Sequence, residues 1–137
     1  MGLYLAVFDN DEEVDGVEVG SYADFAALRD WVVRELEGGT PGASFPIFSL
    51  HSDCDGEWSI ADCSKLRTEL RGITDGLRGR PAVAFTSDWQ RAVAKSIGLV
   101  PRNAYESFVD VDGEFLIDRI QTLVATALER RLPILFQ

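Results

Sequence analysis

Apolar positions along the 137 residues fall into short extended runs and into helical stripes, and the two alternate from end to end. Residues 3–8 are apolar and aromatic, which predicts a central or well-covered strand. The next stretch, DNDEEVDGVEVG, gathers Asp9, Asp11, Glu12, Glu13, Asp15 and Glu18 without a base. Val14, Val17 and Val19 interrupt these acids, so the stretch reads as a hairpin-like excursion. Ser21 caps a helix running to about Leu36, on which Phe25, Leu28, Val32 and Leu36 share one stripe flanked by Tyr22 and Val33. Trp31 falls roughly 120° off that stripe at 3.6 residues per turn, so it is expected to pack on another element or to face a partner. Residues 38–44 are a loop by their Gly and Pro content.

Residues 45–59, FPIFSLHSDCDGEWS, combine the clearest buried-strand signal, 46–50, with a polar turn. The turn holds the only histidine, His51, together with Asp53, Cys54, Asp55, Glu57 and Trp58. Ser59 and Asp62 then have capping-box spacing: the Ser caps free amides, and the acid sits in the positive first turn. Leu66, Leu70, Ile73 and Leu77 mark a second amphipathic helix ending before Pro81, with Cys63 near the same face. Residues 82–86 read as a short strand. Ser87 and Gln90 box the start of a third helix carrying Trp89, Val93 and Ile97, which Gly98 and Pro101 stop. Residues 105–111 read as a strand and Asp112-Gly113 as a turn. A fourth helix buries Leu116, Ile120, Leu123, Val124 and Ala127, and PILF at 133–136 closes the chain as a strand. The expected fold is α/β or α+β: a single domain over 1–137, with a mixed four- or five-stranded sheet and about four packed helices. Neither a G-x-G-x-x-G nor a P-loop is present.

Composition narrows the function classes. An apolar share of 46% with 26% charged residues is that of a globular chain able to bury one core. A net charge of −10 repels phosphate backbones, which disfavours nucleic acid, and suits association with a basic protein. No apolar run reaches the roughly 20 residues of a membrane helix. The start lacks a basic n-region, so no signal peptide is expected and the cytoplasm is the expected location. Two cysteines nine positions apart make no disulfide framework.

The 51–57 turn is the natural place to look for chemistry. Zinc sites usually draw on two separated ligand pairs, and no second His or Cys pair exists. Asp11, Glu13, Asp15 and Gly16 imitate half a calcium loop, but its twelfth position is Tyr22 where a bidentate Glu is required. His51, Ser52, Asp53 and Cys54 are sequence neighbours, which point to opposite sides of an extended chain and make poor catalytic partners. A G-x-S-x-G elbow is missing as well. The expectation is no catalytic residue, no metal and no cofactor. The alternative is a small enzyme or metal-binding protein using His51, Cys54 and the acids up to Glu57. Trp31, Trp58 and Trp89 are expected at the core or its edge, although Trp58 inside the acidic turn would also suit a binding anchor.

The segments MGLYLAVFDNDEEVDGVEVGSYADF, LHSDCDGEWS, SDWQRAVAKSIGL and PILFQ resemble the immunity protein 70 family of bacterial polymorphic toxin systems, nearly end to end. The resemblance implies a small cytosolic protein that neutralises a cognate toxin domain encoded alongside it, with no catalytic residues to carry over. Charge alone suggests that the toxin is a basic nuclease. The expected binding face combines the 9–18 loop with the 51–58 turn. Asp11, Glu12, Glu13 and Asp15 would steer, and His51, Asp53, Asp55, Glu57 and Trp58 would make contacts, unless the turn serves only to hold the helix that follows. A homodimer without a toxin partner is a third option.

Overall fold

The computed structural model describes residues 2–52 and 54–137. Strands β1 (Gly2–Asp9) and β2 (Glu12–Ser21) form the expected hairpin, turning at Asn10 with a left-handed φ of 58°. Asn tolerates that region better than most residues, because its short side chain can bond locally. Helix α1 (Tyr22–Leu36) follows directly, then the short α2 (Pro46–Leu50), strand β3 (Glu57–Trp58) and α3 (Ile60–Arg78). Helix α4 (Asp88–Ile97), a 3₁₀ turn at Tyr105–Ser107, α5 (Leu116–Arg130) and strand β4 (Ile134–Phe136) complete the chain. The order across the sheet is β2-β1-β4-β3. This is an α+β arrangement, and the pairing is antiparallel throughout where a mixed sheet was expected.

One face of the sheet carries the core. Leu3, Leu5 and Val7 alternate onto it, Leu5 lies opposite Val17 and Phe136, and Trp58 lies opposite Ile134. Helices α1, α3 and α5 cover this face with Phe25, Leu28, Val32, Leu66, Leu70, Ile120 and Leu123, all fully buried. Cys63 joins them as a small core residue. Trp31 finds its other element in Phe108, with the rings edge-on at 6.2 Å. Ser21 caps α1 as expected, with Asp24 completing a box, and the expected box of Ser59 with Asp62 closes as the spacing requires. No helix among the described residues is long and apolar enough to cross a membrane.

Three predicted strands are not strands. Residues 46–50 form α2, with Pro46 in its first turn, where a missing N–H costs nothing. Its capping comes from carboxylates far away in sequence. Glu37 accepts from the Ser44 and Phe45 amides, at 2.9 Å each, and from the Ser49 hydroxyl. Glu69 of α3 accepts from the Ile47 and Phe48 amides at 3.2 and 3.0 Å. Burial pushes the Glu37 carboxyl up, yet its donors outweigh this and hold it below its usual range. At Glu69 burial wins and the carboxyl stays raised. Residues 82–86 adopt no regular structure, and the Val83 amide bonds the Ser107 hydroxyl at 2.9 Å instead of a strand. In 105–111 the chain makes the 3₁₀ turn and then a single bridge, Val109 to Phe115.

Candidate functional site

The sheet's second face is open. Cross-strand partners point to the same side of a sheet, so the register lays out this face directly. Tyr4 lies beside Glu18, Ala6 beside Gly16 and Leu135, Phe8 beside Glu13, and Leu135 beside Glu57. Tyr4, Phe8 and Leu135 are half-buried and stand outside the core cluster, whereas Glu13, Glu18 and Glu57 are exposed. The result is a strip of aromatic and aliphatic surface with carboxylates on both flanks. The Tyr4 ring lies over Gly16, where an added Cβ would run into it. Burial, together with Glu13, Asp15 and Glu18 nearby, pushes the Tyr4 hydroxyl up to about 12.

Charge is segregated by layer. The four strands and the hairpin turn hold seven of the 23 acids, namely Asp9, Asp11, Glu12, Glu13, Asp15, Glu18 and Glu57. They hold none of the 13 bases, the first of which is Arg29 in α1. Two of these acids are ion-paired to α5: Asp9 with Arg130 at 3.3 Å and Asp15 with Arg119 at 3.7 Å. The sheet layer therefore accounts for most of the net −10, and its open face carries one sign of charge. Such a surface raises the local concentration of a positively charged partner and orients it on approach.

The expected contact residues separate into two groups. Glu13 and Glu57 lie on the open face, and Asp11 borders a shallow depression there with Phe8, Leu135 and Gln137. Glu12, beside Asp9, is exposed at the hairpin end, and Asp15 turns toward Arg119. Apart from Glu57, the described residues of the 51–58 turn lie elsewhere. Gly56 bonds Phe136, which is opposite Leu5, so the turn runs off the β3 edge at the end of the sheet away from the hairpin tip. Asp55 is exposed there, and Asp53 lies outside the described residues. Among the described acids of the turn, Glu57 shares the open face with the hairpin acids and Asp55 does not.

Trp58 lies in the core, as one of its two readings expected, and the reading as a binding anchor is corrected. It is 0% exposed, its ring edge-on to Phe136 at 4.7 Å and its indole N–H donating to the Ile47 carbonyl at 3.2 Å. It can anchor the core, not a partner. His51 stacks on Phe136 with centroids 4.1 Å apart. Its ring nitrogens face the Ser52 and Glu57 carbonyls at 2.7 and 2.8 Å, so neither is turned toward a substrate. Glu13 and Asp15, the two central acids of the half calcium loop, sit on opposite faces of β2. Among the described residues no three His, Cys, Asp or Glu side chains converge as metal ligands.

Tyr4, Phe8, Glu18 and Leu135 were not among the expected contacts. Strict alternation in LYLAVFD was their signal, since it places Tyr4 and Phe8 on the face that Leu3, Leu5 and Val7 avoid. A second feature adjoins this face. Helix α4 turns Trp89 and Val93 over the Gly2 end of the hairpin, leaving an apolar cleft of about 370 Å³ edged by Glu18 and Val111.

The fold and this surface define an α+β protein with a helical layer on one side of its sheet and an unpaired acidic face on the other. The chain belongs to the immunity protein 70 family, whose model matches residues 3–136. Searches of curated proteins and of solved structures find no match.

Proposed function

We propose that this chain is a cytoplasmic immunity protein that binds a cognate toxin domain and neutralises it by occupation, without catalysis. Family membership supports an immunity role and a toxin partner. The observation that carries the choice of surface is the segregation of charge, with seven carboxylates and no base in the sheet layer. A toxin that works on nucleic acid needs a basic active face, and an acidic sheet can take the place of the phosphate backbone there. On this reading a basic nuclease is the partner that fits. Glu13, Glu18, Glu57 and Asp11 supply the field, while Tyr4, Phe8 and Leu135 supply apolar contact area. Asp55 and Glu12 extend the field at the rim.

Co-expression with the protein encoded immediately upstream tests the proposal. The expected result is rescue of growth together with a stoichiometric complex on co-purification. A toxic neighbour that is neither bound nor relieved would contradict it.

A further inference from the structure

We infer that the apolar cleft beside α4 is the anchoring pocket of the toxin interface, receiving one apolar side chain that projects from a basic patch of the toxin. The inference rests on the immunity reading above and adds to it a specific contact.

Helix α4 buries only Gln90 and Ala94, an amide and a methyl, while its large apolar residues line or border the cleft. Val111, 37% exposed, lines the cleft, and Ile97, 55% exposed, packs beside Val93 at the Gly113 loop. They are held in place. The Trp89 indole N–H donates to the buried Asp24 carboxylate at 3.0 Å, which fixes the ring over Gly20. Gly113, at a φ of 83°, lets its loop come up against Val93 and Ile97 where a Cβ would clash with both. The Val111 amide bonds the Glu18 carbonyl at 3.0 Å, fastening that loop to β2. A rigid concave apolar site loses little freedom on binding, and interface hot spots concentrate in such pockets.

Charge identifies the occupant. Among the described residues Glu18 is the one ionisable side chain lining the cleft, and it stands beside Tyr4 on the open sheet face. The cleft therefore opens onto the carboxylate strip. An apolar residue entering it brings its neighbours within reach of Glu18 and then Glu13, which favours flanking Lys or Arg. A small organic ligand fits less well, because the lining lacks the convergent polar groups that would orient one. The Ser21 hydroxyl already donates to Asp24 at 2.7 Å.

The test is calorimetric titration of the full chain with a catalytically inactive form of the toxin domain encoded next to it. Val111→Asp puts a charge into the cleft, and Ile97→Asp puts one at its border beside Val93, each on an exposed position. Leu50→Asp does the same on an apolar residue, 61% exposed, in α2. Both cleft variants are expected to weaken binding by about 30- to 100-fold, with thermal midpoints near wild type and the Leu50 variant binding normally. Wild-type binding that neither cleft variant weakens would overturn the pocket and leave the immunity reading standing. A wild-type homodimer dissociated by Val111→Asp would also overturn it, since the cleft would then belong to a self-interface. Failure of the wild type to bind the toxin would remove the immunity reading, and the pocket with it.

Discussion

Replacing Glu13, Glu18 and Glu57 together by Lys is expected to weaken toxin binding by roughly two to three orders of magnitude, mostly through slower association. All three side chains are exposed and flank the same apolar strip, and none has a basic partner within ion-pair distance among the described residues. Reversal removes the attraction and adds like-charge repulsion against a basic surface. Surface substitutions of this kind usually change stability by no more than about 0.5 kcal/mol each, so the folded fraction should stay near wild type. The loss should shrink as salt is raised, because exposed charges are screened beyond a Debye length of about 10 Å at 0.1 M. The Tyr4 hydroxyl reports on the same change. With Glu13 and Glu18 reversed, its ionisation should move down from about 12. Stopped-flow association over a salt series checks the binding. Unchanged rates would remove the sheet face from the account.

Asp24→Ala is expected to cost about 3 kcal/mol of stability, a fall of about 10 °C in thermal midpoint. Asp24 is 5% exposed and collects donors from two helix starts. It accepts from the Ser21 amide at 2.8 Å and the Ser21 hydroxyl at 2.7 Å, which closes the α1 capping box. It also accepts from the Trp89 indole at 3.0 Å, from the Thr86 hydroxyl at 3.3 Å and from the Ser87 hydroxyl. The Ala variant strands these donors and frees α4, which has little else to hold it. Burial by itself pushes the Asp24 carboxyl up, but the donors from Ser87, Ser21 and Trp89 win and hold it below its ordinary range. A carboxyl lower in the folded than in the unfolded state stabilises the fold above its unfolded value, near 3.9, and loses that contribution as pH falls through the folded value. Wild type should therefore lose stability below about pH 4, and Asp24→Asn should flatten that part of the curve. Chemical denaturation from pH 2.5 to 7 measures both effects. A variant as stable as wild type with the same acid slope would show that Asp24 does not hold α1 and α4 together.

Much of this architecture was legible because its signals are local. Ser59 with Asp62 names its own partner three residues away, and the core stripe of α3 from Leu66 to Leu77 repeats at helical spacing. Valines among acids in DNDEEVDGVEVG sufficed for the hairpin. The misses have distant causes. An apolar run of five residues fits a strand or a helix equally well. What makes Pro46–Leu50 helical is capping by Glu37 and Glu69, one before the segment and one after it. Residues 105–111 lost their strand character to the Glu106 carboxylate, which turns back to the Arg102 amide and guanidinium at 2.7 to 3.2 Å. For the site, acidity was readable and placement was not. Trp58 was expected at the core or its edge but also as a binding anchor among carboxylates, and alternation across Glu57–Trp58 sends Glu57 out and the indole into the core. The aromatics that do lie among carboxylates, Tyr4 and Phe8, acquire those neighbours only through the register with β2.

The most direct measurement is a side-chain NMR footprint of the isotope-labelled chain titrated with the unlabelled inactive toxin domain. The account predicts large shifts for the Tyr4 and Phe8 rings, the Leu135 methyls and the Glu13 and Glu18 side chains, with the outer positions of α3, such as Lys65 and Arg71, unmoved. Shifts confined to α3, or to the turn around Asp55, with the open sheet face silent, would contradict it.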